Sequence, residues 1–375
     1  MRILYINSAR TFGGGERHLV DLASGMVQRG HQVHVALAPL SPLREHFTNF
    51  PAEMLHILRL RNALDIQSAL HLARIVRQHR IDIVHAHLAR DYPLAAYAAA
   101  KSSAQLVLTR HLLLPLNRLH RFALSQVSCV IVVSEAVAEA IRDRNIFPEN
   151  KIRVIPNGID VGYFTNKNPW KYQRILKLNN TVLPEGYLVI GAIGELRAHK
   201  GYEDLLRVAA IVAKRIDKAI FLIAGEDNSS AKEYRKHLEQ LITKLDLEER
   251  VCLTGWLSDV RPFLSAIDVV VSSSHHESFG LSIVEAMTCG VPVIASATGG
   301  AREVICDGLT GILVPVGDTE KMADAIVNLL VDETQRKRLS AAAYNAVLQH
   351  FDLNRMIEAT EQVYHQAFEG RLLRR

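Results

Sequence analysis

Cysteine is scarce in this sequence: Cys129, Cys252, Cys289 and Cys306 are the four present, and no two form a CxxC pair. That argues against a disulfide framework. With no histidine at finger-like spacing from them, it also argues against a zinc finger. Three of the four sit in apolar or glycine-containing stretches, the usual setting of a small core residue in a reducing cytoplasm. Long apolar runs are lacking too. The longest candidates, such as LLLPL at 112–116, fall far short of the about 18 residues of a membrane-spanning helix. The opening MRILYINSAR has too short an apolar core, and is too polar after it, to read as a signal peptide. Glycine and proline total 33 of 375 residues (21 plus 12), which excludes a collagen-like or low-complexity chain. What remains, 49% hydrophobic and 22% charged, is an ordinary globular composition long enough for two domains, each with a full core.

The net charge is modest, +5 from 44 Lys/Arg and 39 Asp/Glu, but it is unevenly placed. Residues 1–160 hold 19 basic and 12 acidic side chains, a net of +7. Residues 161–375 hold 25 and 27, a net of −2. An asymmetry of this kind suggests that the first half faces something anionic: a membrane surface, a nucleic acid or an acidic substrate.

Short apolar segments alternate with longer amphipathic ones. RILYI (2–6), QVHVAL (32–37), DIVHA (82–86), LVLT (106–109) and VIVV (130–133) read as buried strands. A helical pattern follows Gly13–Gly15, from Glu16 to about Gln28. The alternation stalls in the polar stretch Thr165–Gly186, which carries Pro169 and Pro184 and reads as a linker. A second series follows at 187–194, 219–224, 251–254, 268–272, 291–295 and 311–315. Strand–helix–strand alternation implies parallel sheets covered on both faces. The reading is therefore α/β, two doubly wound Rossmann-like domains facing across a cleft. Their expected limits are 1–165 and 166–350, with a C-terminal helix in 351–375 returning to the first domain. Ligands in such sheets bind beyond the carboxyl ends of the strands, so the loops after strands should carry the chemistry.

The most informative segment is SSSHHESFGLSIVEAMTCGVPVIASATGG, 272–300. Glu277 stands in a polar loop after a strand, Gly280 permits a tight turn, and 281–288 reads as a helix with Glu285 about one turn inside. The free amides at Phe279, Gly280 and Leu281 would favour phosphate, and two carboxylates beside them suit hydroxyls. The ligand so described has both phosphates and hydroxyls. Gly13–Gly15 permit close backbone approach to a ligand, but their spacing does not match the GxGxxG dinucleotide fingerprint.

Glu277 and Glu285, within SFGLSIVEAMTCGVPVIAS, closely resemble the acid pair of the retaining glycosyltransferases of family 4, which have the two-domain GT-B fold. Further segments agree in order: RTFGGGER (10–17), DIVHAH (82–87), TRH (109–111), VSEA (133–136), VIPNGID (154–160), KG (200–201), IAG (223–225), LTGW (253–256), GGAREVI (299–305) and DGLTGILV (307–314). The likeness spans about residues 1–320. It implies that Glu277 contacts the donor sugar, Glu285 the nucleoside ribose, and Lys200 the donor diphosphate. It makes His111 the histidine near the reacting carbon, and it brings Gly14 and Gly15 to the donor phosphates and acceptor. Gly225 and the 255–257 segment would meet the base through their backbone. One departure stands out: the family arginine after the strand glycine is replaced by Glu195, with Arg197 two residues on. Arg197 is expected to substitute, because a carboxylate would repel phosphate.

The implied reaction is glycosyl transfer from a nucleoside-diphosphate sugar to an acceptor hydroxyl with retained configuration. No cofactor is expected beyond the sugar nucleotide as co-substrate, and no metal, since no DxD-like pair stands in a suitable loop. His85 and His87 alternate on a strand end without acidic partners at helical spacing, which disfavours a metal there. The acceptor would be a cell-envelope glycan or a lipopolysaccharide-like glycolipid on the basic first half. Arg59, Arg61, Arg74, Arg77 and Arg80 cluster there, and Arg110, Arg118 and Arg121 surround the apolar HLLLPLNRLHRFAL. Such a stretch can lie on an anionic membrane, so a cytoplasmic protein peripheral to its inner face is expected. No nucleic-acid motif is present. The competing readings are a GT-B-like sugar-nucleotide epimerase and a non-enzymatic sugar-nucleotide-binding scaffold. The Glu277/Glu285 motif, which belongs to the transferases, argues against the first, and the intact Glu277, Glu285, Lys200 and His111 argue against the second.

Overall fold

The computed structural model describes residues 1–113, 116, 120–165, 177–178, 181–182 and 186–372. Most of the Thr165–Gly186 linker, with Pro169 and Pro184, lies outside them, as does Arg118. The strands in chain order are β1 Arg2–Asn7, β2 Gln32–Leu37, β3 Leu55–Ile57, β4 Ile83–Ala86, β5 Gln105–Arg110, β6 Cys129–Val132 and β7 Ile152–Val154. After the short pair β8 Lys177–Leu178 and β9 Thr181–Val182 come β10 Leu188–Ile193, β11 Ala219–Ala224, β12 Val251–Gly255, β13 Val269–Ser272, β14 Val293–Ser296 and β15 Ile312–Val314.

Two parallel sheets result. Their orders are β3-β2-β1-β4-β5-β6-β7 and β12-β11-β10-β13-β14-β15. Every residue of β4, β6 and β11 is buried, as expected of strands covered by helices on both faces. In each sheet the chain runs outward to one edge and then returns to the other side of its first strand. The strand order therefore reverses between β1 and β4, and again between β10 and β13. Adjacent loops diverge at such a point and leave a crevice beyond the strand ends.

Two compact units form. One comprises Met1–Gly158 with Leu353–Arg375, the other Ile159–Asp352. The first core packs Ile3, Tyr5, Val33 and Val35 against Leu19, Leu22 and Met26 of the helix Gly14–Gln28. The helix Leu353–Leu372 closes the same core with Met356, Ile357, Val363 and Tyr364. The second core joins Ile190, Phe221, Val269 and Ile294 to Leu205, Leu206 and Val212 of the helix Tyr202–Ala213. Both units are Rossmann-like, so the α/β class read from the sequence holds. Among the described residues no helix is long and apolar enough to cross a membrane.

Candidate functional site

The residues singled out from the sequence follow the carboxyl ends of β1, β5, β10, β11 and β13, at or beside the points where strand order reverses. In the first unit β1 ends at Asn7, and the chain enters the helix Gly14–Gln28 through Gly13. The helix thus starts two residues before the Glu16 expected from the sequence. Glu16 Oε2 accepts from the Gly13 amide at 3.1 Å and fixes that early start. Gly14 and Gly15 therefore lie in the first helical turn rather than in a loop. Gly15 sits against the His111 ring: a Cβ there would meet the ring at 3.5 Å.

His111 follows β5 and belongs to a group of imidazoles. Its Nε2 lies 3.3 Å from His87 Nδ1, and its ring meets that of His18 edge-on at 4.8 Å. His85, beside them at a ring distance of 4.3 Å from His87, bonds through Nδ1 to Tyr364 Oη (2.6 Å) and through Nε2 to Thr109 Oγ1 (2.8 Å). Burial first, and the neighbouring imidazoles second, hold His85, His87 and His111 well below the usual histidine range. Burial brings His18 down to about 4. All four are neutral near pH 7 and can pass or hold a hydrogen bond without carrying charge. Ring nitrogens of His18, His87 and His111 lie within 4.8 Å of one another, close enough for an ion to be held. Sequence spacing along β4 did not suggest this grouping.

Beside this group lies a knot not evident in the sequence. Ser8 donates from its amide to Asp91 Oδ2 (2.9 Å) and from its hydroxyl to Asp91 Oδ1 (2.5 Å). Arg90 donates through Nε to Ser8 Oγ at 2.7 Å. Burial lifts Asp91 to about 6 against the pull of these bonds. The knot braces a hollow of about 360 Å³ lined by Arg10, Thr11, Glu16 and Arg90, with Ala9, Leu88 and Ala89.

In the second unit Lys200 follows β10 and Glu277 follows β13, so the two strands at the reversal each supply one charge. Lys200 Nζ donates to Glu277 Oε2 at 2.7 Å, and both side chains are largely covered. Ser274 Oγ stands 3.4 Å from the same oxygen. The Lys200 carbonyl accepts from Ser273 Oγ at 3.0 Å. Gly201 makes this approach possible: its φ is +68°, and a Cβ would fall 2.1 Å from the Ser273 carbonyl oxygen. His275 Nε2 pairs with Asp204 Oδ2 at 2.6 Å, which ties the Glu277 loop to the helix Tyr202–Ala213. His275 is thus a support, while His276 is exposed.

Gly280 occupies the N-cap position of the helix Leu281–Thr288, and Glu285 is half-buried on that helix. The first amides of a helix have no partner within it, so the turn after Phe279 offers donors to an anion. Phe279 itself is buried and packs edge-on against Phe351 at 5.6 Å. Gly225 follows β11, and its amide donates to the Gly255 carbonyl at 2.9 Å, so the two segments expected near a base are joined. A Cβ at Gly225 would lie 1.8 Å from the Gly194 oxygen, a contact only glycine allows. Arg197 pairs through Nε with Glu195 Oε2 at 2.8 Å, and Asn228 Nδ2 donates to the other Glu195 oxygen at 2.9 Å. The carboxylate in the place of the family arginine is thus compensated locally, and Arg197 is more than half exposed.

Comparisons with known proteins identify the family. Residues 12–163 match the Glycosyltransferase Family 4 model and residues 174–346 the model for glycosyl transferases group 1. The chain is 27% identical over 363 residues to N-acetyl-alpha-D-glucosaminyl L-malate synthase of Bacillus anthracis, covering 92% of each. It is 26% identical to the lipopolysaccharide core biosynthesis glycosyltransferase LpsE of Rhizobium meliloti, covering 94% of this chain and 95% of that one. The crystal structure of Anabaena HepE in complex with UDP-glucose superposes with a TM-score of 0.81 at 26% identity, covering 98% and 99% of the two chains. The chain belongs to the family 4, group 1 glycosyltransferases of GT-B fold.

Proposed function

We propose that this glycosyltransferase moves a hexosyl unit from a UDP-sugar to a hydroxyl of a cell-envelope glycan or glycolipid, with retained configuration and without a metal. The observation that carries the donor reading is the 2.7 Å pair of Lys200 and Glu277 at the reversal between β10 and β13. The choice of uridine diphosphate rests on likeness to HepE, crystallised with UDP and with UDP-glucose. The acceptor class rests on likeness to LpsE.

In this reading Lys200 neutralises charge growing on the departing diphosphate, and the helix amides around Gly280 and Leu281 add fixed positive potential. Glu277 accepts hydrogen bonds from sugar hydroxyls, Glu285 from the ribose. Arg197 exchanges Glu195 for a donor phosphate. The acceptor oxygen attacks the anomeric carbon from the face the diphosphate leaves. Its proton passes to a departing phosphate oxygen, so the glycosidic C–O bond forms as the C–O bond to phosphate breaks. The family likeness assigns His111 to the donor sugar; held neutral by burial, it would add no charge to an oxocarbenium-like centre.

A second acceptor reading has its own support. Arg10 and Arg90 line the hollow of the first unit, and guanidinium groups suit a small carboxylate acceptor such as the malate named for the Bacillus anthracis relative. Peripheral membrane contact is supported by Leu64 and Ile66, 86% and 72% exposed, beside the exposed Arg59 and Arg61. Co-sedimentation with anionic vesicles at low salt, lost at high salt, is the expected result; no binding at low salt contradicts it.

A thermal-shift screen with UDP-, GDP-, ADP- and TDP-sugars tests the donor. A UDP-sugar should raise Tm most, since a ligand of the folded state alone stabilises it. No shift with any UDP-sugar contradicts the proposal. An inverted anomer in the product, read by NMR, contradicts retention.

A further inference from the structure

A second group of imidazoles lies elsewhere in the first unit. His34 on β2 and His56 on β3 share one face of the sheet, because Ala36 pairs with His56 and His34 stands two residues before Ala36. Val33, Val35 and Leu37 face the other side and pack in the core. His79 follows directly on the helix Ile66–Gln78, and its backbone amide is fixed by the Ile75 carbonyl at 3.0 Å. The three rings pack together with centroids 5.4, 4.5 and 5.3 Å apart, and His34 Nδ1 lies 3.1 Å from His56 Nε2.

We propose that His34, His56 and His79 form a site for one divalent transition-metal ion, zinc by the nature of its ligands. One nitrogen from each ring lies within 4.8 Å of the others. Two imidazoles on an edge of a zinc tetrahedron stand about 3.3 Å apart, given zinc–nitrogen bonds of about 2.0–2.1 Å. The His34–His56 pair already has that spacing, and a modest turn of the half-exposed His79 completes the triad. Metal binding uses one acceptor nitrogen from each ring, and the one contact within the group engages a single acceptor. Among the described residues no hydrogen bond or ion pair joins any of the three to a carboxylate, so their N–H groups are not tied to an acid that would fix the ring orientation. An ion engages all three at once. His34 is buried while His56 and His79 are half-exposed, so the ion enters from solvent and keeps a water, or the nearby Glu53, as fourth ligand.

The consequence is structural. β3 is a three-residue edge strand held by β2 alone, and the ion would tie it to β2 and to the end of the Ile66–Gln78 helix. The test uses the full chain, stripped with a chelator and titrated with Zn2+ by calorimetry, then with Co2+ for its visible tetrahedral bands. One equivalent should bind. His56→Gln and His79→Gln, both at half-exposed positions, should each weaken binding at least ~100-fold, more than loss of an outer-shell partner costs. Donor hydrolysis should be unchanged in both. The proposal is overturned by the absence of stoichiometric Zn2+ binding, by binding that both variants retain, or by binding lost only in His18→Asn, which would locate the ion at the other imidazole group.

Discussion

Lys200 and Glu277 lie 77 positions apart in sequence yet meet at 2.7 Å, largely out of solvent. Both side chains keep some solvent access, 20% and 13%, so the charge left by removing either stays partly hydrated, and each variant should affect donor turnover more than it affects the fold. Lys200→Met is expected to lower kcat for donor turnover by roughly 10²–10³, the usual cost of one preorganised donor at a developing anion. A fall of less than fivefold would remove Lys200 from the diphosphate. Arg197→Ala should weaken donor binding by a smaller factor, because this side chain is exposed and already shared with Glu195. An unchanged Kd and kcat would end its substitution for the family arginine. The motifs around Glu277 and Glu285, Lys200 and His111 could be read from the sequence because each lies on a continuous stretch, whatever their roles. The Ser8–Asp91–Arg90 knot and the imidazoles around His111 were not. Their members come from β1, β4, β5 and the first helix, and which residues face each other depends on strand register, which spacing within one strand does not reveal.

Among elements, the longer strands were readable because a parallel sheet buried on both faces leaves unbroken apolar runs, as in β2 and β11, where expected and observed limits coincide. β3 and β7 escaped notice. Each has three residues at a sheet edge, and β7 carries the exposed Arg153, too little pattern to mark a strand. Helix limits near the site follow local capping, so Leu281–Thr288 matched its sequence limits while Gly14 and Gly15 joined their helix unexpectedly. The Lys200 and Glu277 segments depend on one glycine. Gly255→Ala, left-handed at φ +80° but with open space, should cost about 1 kcal/mol. Gly201→Ala, left-handed and facing the Ser273 carbonyl, should cost on the order of 3 kcal/mol and reduce donor binding as well. Urea unfolding of the two variants distinguishes them; equal losses would mean that the Ser273 contact yields freely.

For the molecule as a whole, the buried imidazoles set the response to acid. His18 has a folded pKa of about 4 against an ordinary 6.5, so the unfolded chain takes up a proton that the folded one refuses. The resulting stability is intact above about pH 6.5 and is lost as pH falls toward 4. At pH 5 the loss from one such group is about 2 kcal/mol. His85, His87 and His111 act in the same direction. Asp91, raised to about 6 by burial, and Glu16, raised by burial too, oppose them by binding their protons more readily when folded, but fewer carboxyls than imidazoles are shifted so. Tm should therefore drop steeply between pH 7 and 5, and His18→Asn should flatten that slope. A Tm independent of pH across this range would contradict the neutral, buried state of these rings.

Also at this scale, the charge asymmetry remains: residues 1–160, at +7, include Arg10 and Arg90 of the hollow, and residues 161–375, at −2, include the Lys200–Glu277 pair. The most direct test of donor chemistry at that pair is release of nucleoside diphosphate from a sugar nucleotide without acceptor. Wild-type protein is expected to release UDP slowly from a UDP-sugar. Glu277→Ala should release none while keeping its Tm within a few degrees. Equal release by the folded variant, or none by the wild type from any UDP-sugar, would contradict the account.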